Sequence, residues 1–198
     1  MLSALPYGVM RIRVMALVTL MITMVACGSP TPSSGETPAT PRWGSAPGPV
    51  PVQPPGDQPS VSSVQVCSPD DAQKDIARTL GVTPTRVEPP TWIDHRYACR
   101  YVYPTGSFTL SVKELDDIDR TDAYFNQLAS TLGKRGDLDG IGEGAFLTTN
   151  GSIVARKDNK VLLVDVSNVP AQFGNPPAPP AGVSRIIASV VMDCWAGI

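Results

Sequence analysis

The sequence predicts an α+β domain: a two-layer sandwich in which a mostly antiparallel sheet of about five strands carries helices on one face. Three observations point there. Apolar residues alternate at Tyr97, Cys99, Tyr101 and Tyr103 and again at Phe108, Leu110 and Val112, with Pro104-Thr105-Gly106 between them, the period-two pattern of an antiparallel hairpin. Three more strand-like runs follow between Ala145 and Val166, separated by turn residues. Three other segments repeat apolar residues every three or four positions, as amphipathic helices do. No strand–helix–strand repeat of the doubly wound kind is present. The predicted order is α-β-β-α-β-β-β-α.

Each element has a local reason. The first helix is expected from Cys67-Ser68-Pro69-Asp70-Asp71, with Ser68 as N-cap and Pro69 in the first turn. Ala72, Ile76 and Leu80 make its apolar stripe, and Gly81 stops it. Residues 82–95 hold Pro84, Pro89 and Pro90 and read as loop, with Trp92 and Ile93 packing back on the core. The hairpin follows. Asp116, Asp117 and Asp119 crowd before the second helix, capped by Asp119 or Thr121, where negative charge favours the positive end of the helix dipole. Tyr124, Leu128 and Leu132 share one face of that helix and Gly133 ends it. Gly136 to Gly144 reads as a flexible loop. Ala145–Thr149, Ser152–Arg156 and Val161–Val166 form a meander, with Asn150-Gly151 as a type I′ turn signal. The last run, nearly continuous in apolar residues, belongs at the centre of the sheet. After a proline-rich stretch around Pro176–Pro180, Val183, Ile186, Ile187, Val190, Val191 and Cys194 mark a C-terminal helix running from about Pro180 or Gly182 to Trp195.

The domain is preceded by two segments of other character. Residues 1–26 read as a signal peptide: Arg11 and Arg13 precede an uncharged apolar run from Val14 to Ala26, too short for a comfortable membrane span. Translation from Met1 or from Met10 would fit, Met10 giving the more compact basic start. Residues 27–64 hold ten prolines between Pro30 and Pro59 among Ser, Thr, Gly and Ala, with Trp43 as a stray aromatic. Such a stretch cannot bury enough apolar surface to offset its ordering entropy, so it reads as a disordered, semi-extended tether. The globular domain is expected at 65–198.

Composition excludes several function classes. The net charge of -2 and the single His leave neither a basic footprint for nucleic acid nor a His-rich metal site. The His95 loop, the acidic group Asp137, Asp139 and Glu143, and the glycines 140, 142 and 144 lack the spacing of a catalytic pair, a calcium loop or a phosphate cradle. No catalytic residue, metal ligand or cofactor is expected. Tyr97, Tyr101 and Tyr103, on one strand face, are the weak candidates for lining a ligand groove.

Four cysteines carry the rest. Cys67, Cys99 and Cys194 allow three single pairings. Cys67–Cys99 is favoured, closing a loop of about 33 residues at a gain of about 3–4 kcal/mol in the chain-entropy account. Cys194 is the alternative partner or a free thiol. Met24-Val25-Ala26-Cys27-Gly28 resembles the lipobox of bacterial lipoproteins, in which the Cys thiol takes a diacylglycerol; palmitate-type acyl chains on Cys27 would hold the chain on the outer face of the cell membrane.

The signal, lipobox and proline-rich tether together look like secreted lipoproteins of actinobacteria, mycobacteria especially. Within the domain, Cys67-Ser68-Pro69-Asp70, Cys99-Arg100-Tyr101, Gly140-Ile141-Gly142-Glu143-Gly144-Ala145-Phe146 and Val154-Ala155-Arg156-Lys157 resemble one such family, which carries a domain of unknown function. Tyr101 stands where that family has Trp, and Glu143-Gly144 replaces its Asp-containing form. The resemblance implies a Cys67–Cys99 disulfide and an envelope location, and no reaction. The expectation is a non-enzymatic envelope lipoprotein, anchored to the membrane through Cys27, that binds a partner protein or a small apolar ligand. The alternative is an accessory subunit of an envelope assembly or transport system, and an enzyme is the least favoured reading.

Overall fold

The computed structural model describes residues 54–196. The expected signal peptide, Cys27 and the tether up to residue 53 lie outside the described residues.

Four helices and eight strands follow in the order α1 (Val61–Gln65), α2 (Ala72–Leu80), β1 (Arg86–Val87), β2 (Thr91–Ile93), β3 (Arg96–Tyr103), β4 (Gly106–Glu114), α3 (Ile118–Leu132), β5 (Lys134–Leu138), β6 (Gly144–Thr148), β7 (Ile153–Lys157), β8 (Lys160–Asn168) and α4 (Pro180–Ala196). The fold is α+β, and its open sheet runs β1-β3-β4-β8-β7-β6-β5 with every pairing antiparallel. β1 and β2 take successive stretches of one edge of β3, Val87 opposite Tyr101 and Trp92 opposite Tyr97. Pro89 and Pro90 between them interrupt what would otherwise be one edge strand.

The expected hairpin is β3–β4. Tyr97, Cys99, Tyr101 and Tyr103 are all buried on one face, and Tyr101 opposes Phe108 with stacked rings 4.7 Å apart. β8 lies between β4 and β7, as its apolar run requires.

The two-layer expectation is corrected: the sheet is covered on both faces. Along β7 and β8 the side chains alternate between two separate cores. Ile153, Ala155, Leu162 and Val164 join Ile76, Tyr101, Leu110 and Ile187 under α2 and α4. Val154, Val161 and Phe146 form a second cluster against Tyr124, Phe125, Leu128 and Leu132 of α3. A strand apolar at every position has two faces to bury, and helices on one side would leave one of them wet. Each fully buried aliphatic is worth about 1.5–3 kcal/mol.

The strand count is corrected from about five to eight. β1 and β2 are too short to show a period, and β5, Lys-Arg-Gly-Asp-Leu in sequence, is an exposed edge strand without an apolar face. The loop expected from Gly136 therefore begins only after Leu138. The first predicted helix starts later than expected: α2 begins at Ala72, and the expected cap Ser68 instead donates its hydroxyl to Asp71 at 3.0 Å. Its stripe of Ala72, Ile76 and Leu80 is buried, and Gly81 closes it in the left-handed region at φ 65°. α3 is capped by Asp117, whose Oδ1 accepts from the Arg120 N–H at 2.7 Å, rather than by Asp119 or Thr121.

The boundary expected at 65 falls inside α1. Glu114, at the end of β4 and 3% exposed, accepts hydrogen bonds from the Ser60 N–H (2.8 Å), the Ser60 hydroxyl (2.7 Å) and the Ser63 hydroxyl (2.5 Å). Three donors on one carboxylate compensate its burial and draw this helix onto the sheet. Further back, the Trp92 indole donates to the Asp57 carbonyl at 2.9 Å. The ordered chain thus reaches into the segment read as tether. Hairpin chemistry also differs from expectation. At Asn150-Gly151 only Gly151 is left-handed, at φ 87°, and the Asn150 side chain accepts from the Ser152 N–H at 3.0 Å. The paired left-handed residues of a type I′ turn occur instead at Asp94 and His95, φ 50° and 53°, between β2 and β3.

Candidate functional site

Cys67 and Cys99 are joined, with Cα atoms 6.1 Å apart. The bond links the segment between α1 and α2 to the middle of β3. Beside it the Tyr101 hydroxyl donates to the Val66 carbonyl at 2.9 Å. Tyr101 is completely buried, and burial with Tyr103 and Tyr97 nearby pushes its phenol well above the ordinary value. It is a packing residue.

The other two tyrosines border open depressions. Tyr97 lies beside one of about 340 Å³ with Val64, Pro69 and Pro90. Tyr103 lies beside one of about 450 Å³ with Val82, Phe173 and Pro177. A third, of about 520 Å³, has Gln73, Lys74 and Arg78 of α2 on one bank and Thr83, Arg86 and Val87 on the other. Neighbouring depressions share Gln73 and Val87 at one junction and Thr83 at the other. Through these residues the three adjoin one another as a shallow groove in and next to α2, its middle stretch cationic and its ends less charged. The expectation that Tyr97, Tyr101 and Tyr103 line one groove together is corrected: the outer two stand at its opposite ends, and Tyr101 is withdrawn into the core.

The cations of the middle stretch are held loosely. Lys74 pairs with Asp70 (2.9 Å), Arg78 with Asp75 (2.9 Å) and Arg86 with Glu88 (3.2 Å), the three cations solvent-exposed and Asp75 and Glu88 half-buried. Such pairs contribute about 0–1 kcal/mol each, so an acidic group on a partner can replace them at small cost. Sequence reasoning missed these residues because the two banks meet only through packing, and exposed basic residues on a helix carry no signal of what faces them.

The Tyr103 end is shaped by one backbone approach. The Asn175 N–H donates to the Leu80 carbonyl at 2.7 Å, bringing the loop before α4 over Gly81. A Cβ on Gly81 would meet the Asn175 carbonyl oxygen at 2.1 Å, on a residue already at positive φ. Gly81→Ala is therefore expected to lower unfolding stability in urea by about 2–4 kcal/mol and to displace this loop. A loss below about 1 kcal/mol would show that the approach is not required.

The remaining sequence candidates have structural places. His95 is an exposed turn residue whose ring stacks on Trp92 at 5.7 Å and whose carbonyl accepts from the Glu114 N–H at 2.8 Å. Asp137 pairs with Lys134 at 2.6 Å. Asp116 pairs with Arg120 at 2.6 Å. Gly142, at φ 59°, sits where a Cβ would meet the Arg156 carbonyl oxygen at 2.5 Å, and Gly144 opposes Arg156 across β6 and β7. The glycine-rich motif and the Val154-Ala155-Arg156-Lys157 motif thus pair with each other. Arg156 in turn reaches Asp122 of α3 at 3.2 Å and Glu143 at 3.5 Å, with Phe125 beneath its guanidinium. Cys194 sits on α4 and takes no part in the Cys67–Cys99 bond.

Among the described residues, no group of three or more His, Cys, Asp and Glu is placed to hold a metal ion, and no helix is long and apolar enough to cross a membrane. No family model, curated protein or solved structure matches the chain.

Proposed function

We propose that this chain is a lipid-anchored extracytoplasmic protein of the actinobacterial lipoprotein type, and that its domain binds a partner protein or small ligand in the groove beside α2. The observation that carries the reading is the Cys67–Cys99 disulfide. Structural disulfides form and persist in oxidising compartments, and this one adjoins the groove, since Cys67 is among the residues bordering its Tyr97 end. It agrees with the export signal and lipobox read from residues 1–28. The groove suits binding: its cations are tied only in exchangeable surface pairs that a partner's acidic groups can replace.

The test is intact-mass analysis of the membrane fraction of the native host. The expected species begins at Cys27, carries a diacylglyceryl group on that residue, and has Cys67 and Cys99 oxidised. An unacylated chain in the cytosolic fraction with both cysteines reduced overturns the reading. Stoichiometric recovery within a membrane complex would favour the accessory-subunit alternative.

A further inference from the structure

α3 covers part of the second sheet face, packing over β6, β7 and β8. Further along that face lie β4 and β3. Ser111 and Lys113 stand opposite Leu163 and Val161 of the α3 core, and Arg96, Ala98 and Arg100 stand opposite Lys113, Ser111 and Thr109, so all share the α3 side. Ala98, Val102, Thr109 and Ser111 are half-buried there and join neither core. Ile93, opposite Arg96, is 59% exposed on the same strip. Arg96, Arg100 and Lys113 rise among these small side chains. None of the three forms an ion pair among the described residues, whereas Lys74, Arg78, Arg86, Arg120, Lys134 and Arg156 each do. Two of the three are set by neutral acceptors. Arg100 donates from Nε and Nη2 to the Ser107 hydroxyl at 3.1 and 2.8 Å, and the Lys113 ammonium donates to the Asp94 carbonyl. The carboxylate on the strip, Asp165 opposite Thr109, has its Oδ1 taken by the Ser167 N–H at 2.9 Å and the Ser152 hydroxyl at 3.4 Å.

From this arrangement we infer that the β3–β4 strip receives one α-helix of a partner protein, carrying carboxylates on its sheet-facing side. The strip lies on the face opposite the core under α2 and α4, so the inference does not rest on the groove. Its dimensions select a helix. β2, β3 and β4 side by side span about 10–14 Å, the width of one helix with its side chains, and α3 forms one bank. A bilayer is flat and would be held off the strip by α3, which stands about one helix diameter above the sheet. Its charges select the carboxylates. Arg96 and Arg100 are four residues apart on β3, about 13 Å, close to two turns of helix, after which a side chain returns to the same side. The Arg100 guanidinium is already positioned by Ser107, so an incoming carboxylate meets a fixed fork and breaks no existing ion pair. Ile93, Ala98 and Val102 supply the apolar contact between the charges.

The experiment titrates the full-length chain, uniformly ¹⁵N-labelled, with a stapled alanine-rich helical peptide bearing two glutamates two turns apart and leucines between them on the same side. Three controls accompany it: the same peptide with lysines for the glutamates, an unstapled version broken by a central proline, and monomeric short-chain phosphatidylglycerol. The glutamate helix is expected to shift the Ala98, Arg100, Thr109 and Ser111 amides saturably, and each control to bind at least about ten-fold more weakly. Arg96→Gln/Arg100→Gln is expected to weaken the glutamate helix about ten-fold, the loss of two partly exposed ion pairs. Arg96→Gln alone breaks no ion pair within the free domain and is expected to weaken it about three-fold. Equal affinity of the wild type and both variants, or a control binding as tightly as the glutamate helix, overturns the inference. Shifts of the same amides with protein concentration alone make a second copy the occupant and overturn it as well. Shifts confined to Lys74, Arg78 and Arg86 place the acidic helix in the groove, overturning this inference and leaving the groove as a binding surface. No saturable shift on the strip overturns it outright.

Discussion

A Cys67→Ala/Cys99→Ala double variant is expected to lose about 3–4 kcal/mol of unfolding stability in urea, and the reduced wild type to lose a similar amount. The cysteines are 32 residues apart, and the loop between them contains α2 and the Thr83–Val87 segment, which together make both banks of the groove's middle stretch. Opening the bond enlarges the unfolded ensemble and leaves the Tyr101 hydrogen bond to Val66 as the nearest remaining tie at that junction. A single neutral hydrogen bond contributes about 0.5–1.5 kcal/mol, too little to replace the covalent link. The m-value should rise slightly if the domain still unfolds as one unit, because the unlinked unfolded chain exposes more surface. A loss below about 1 kcal/mol would mean that the disulfide is dispensable to the fold and would weaken the compartment argument built on it.

Phe146→Ala tests the other face of the sheet. Phe146 is fully buried, lies edge-on to Phe125 at 5.0 Å, and forms the second core with Val154 and Val161. Its truncation is expected to cost about 3–5 kcal/mol. The nearby charges do not alter that ranking: Arg156 to Asp122 and to Glu143 are partly exposed pairs worth about 0–1 kcal/mol each. Because the two cores are separate clusters, the variant should loosen α3 and leave the groove residues Lys74, Arg78 and Tyr103 with wild-type amide shifts. Faster amide exchange in α3 with α2 and α4 unchanged is the expected pattern. Uniform loosening of all helices, or a cost under about 1 kcal/mol, would show that α3 is not held by this cluster.

Where apolar spacing sets structure, the sequence was readable. Tyr97–Tyr103 and Phe108–Val112 alternate and form β3 and β4, and Val161–Val166 has no polar face and lies mid-sheet. Ala72, Ile76 and Leu80 give α2 its buried side, even though the helix begins after Ser68. Reading stopped short where the pattern is ambiguous. The run Ile153-Val154-Ala155 carries the information that both sheet faces are covered, yet on its own it names no helix for the second face; α3 was visible as a helix without its side of the sheet. β5 has charges where a strand usually has a stripe, and α1 is held by Glu114, a contact across more than fifty residues. The three tyrosines were on one face as expected. Which of them meets solvent depended on α2, the 82–90 segment and the loop at Asn175 closing around them, and that is a property of packing rather than of spacing.

The placement of Cys67 has a mechanical consequence. In a protein held by its N-terminal end, tension enters the domain through the Trp92 contact to Asp57 and then through the Ser60 and Ser63 contacts to Glu114, all non-covalent. These can peel in sequence. The next anchor is covalent and delivers the load directly to β3, inside the sheet. Pulling would therefore strip α1, and Val64 with it, and halt at the sulfurs, leaving α2 and the cationic stretch of the groove behind a stop that force alone does not easily pass.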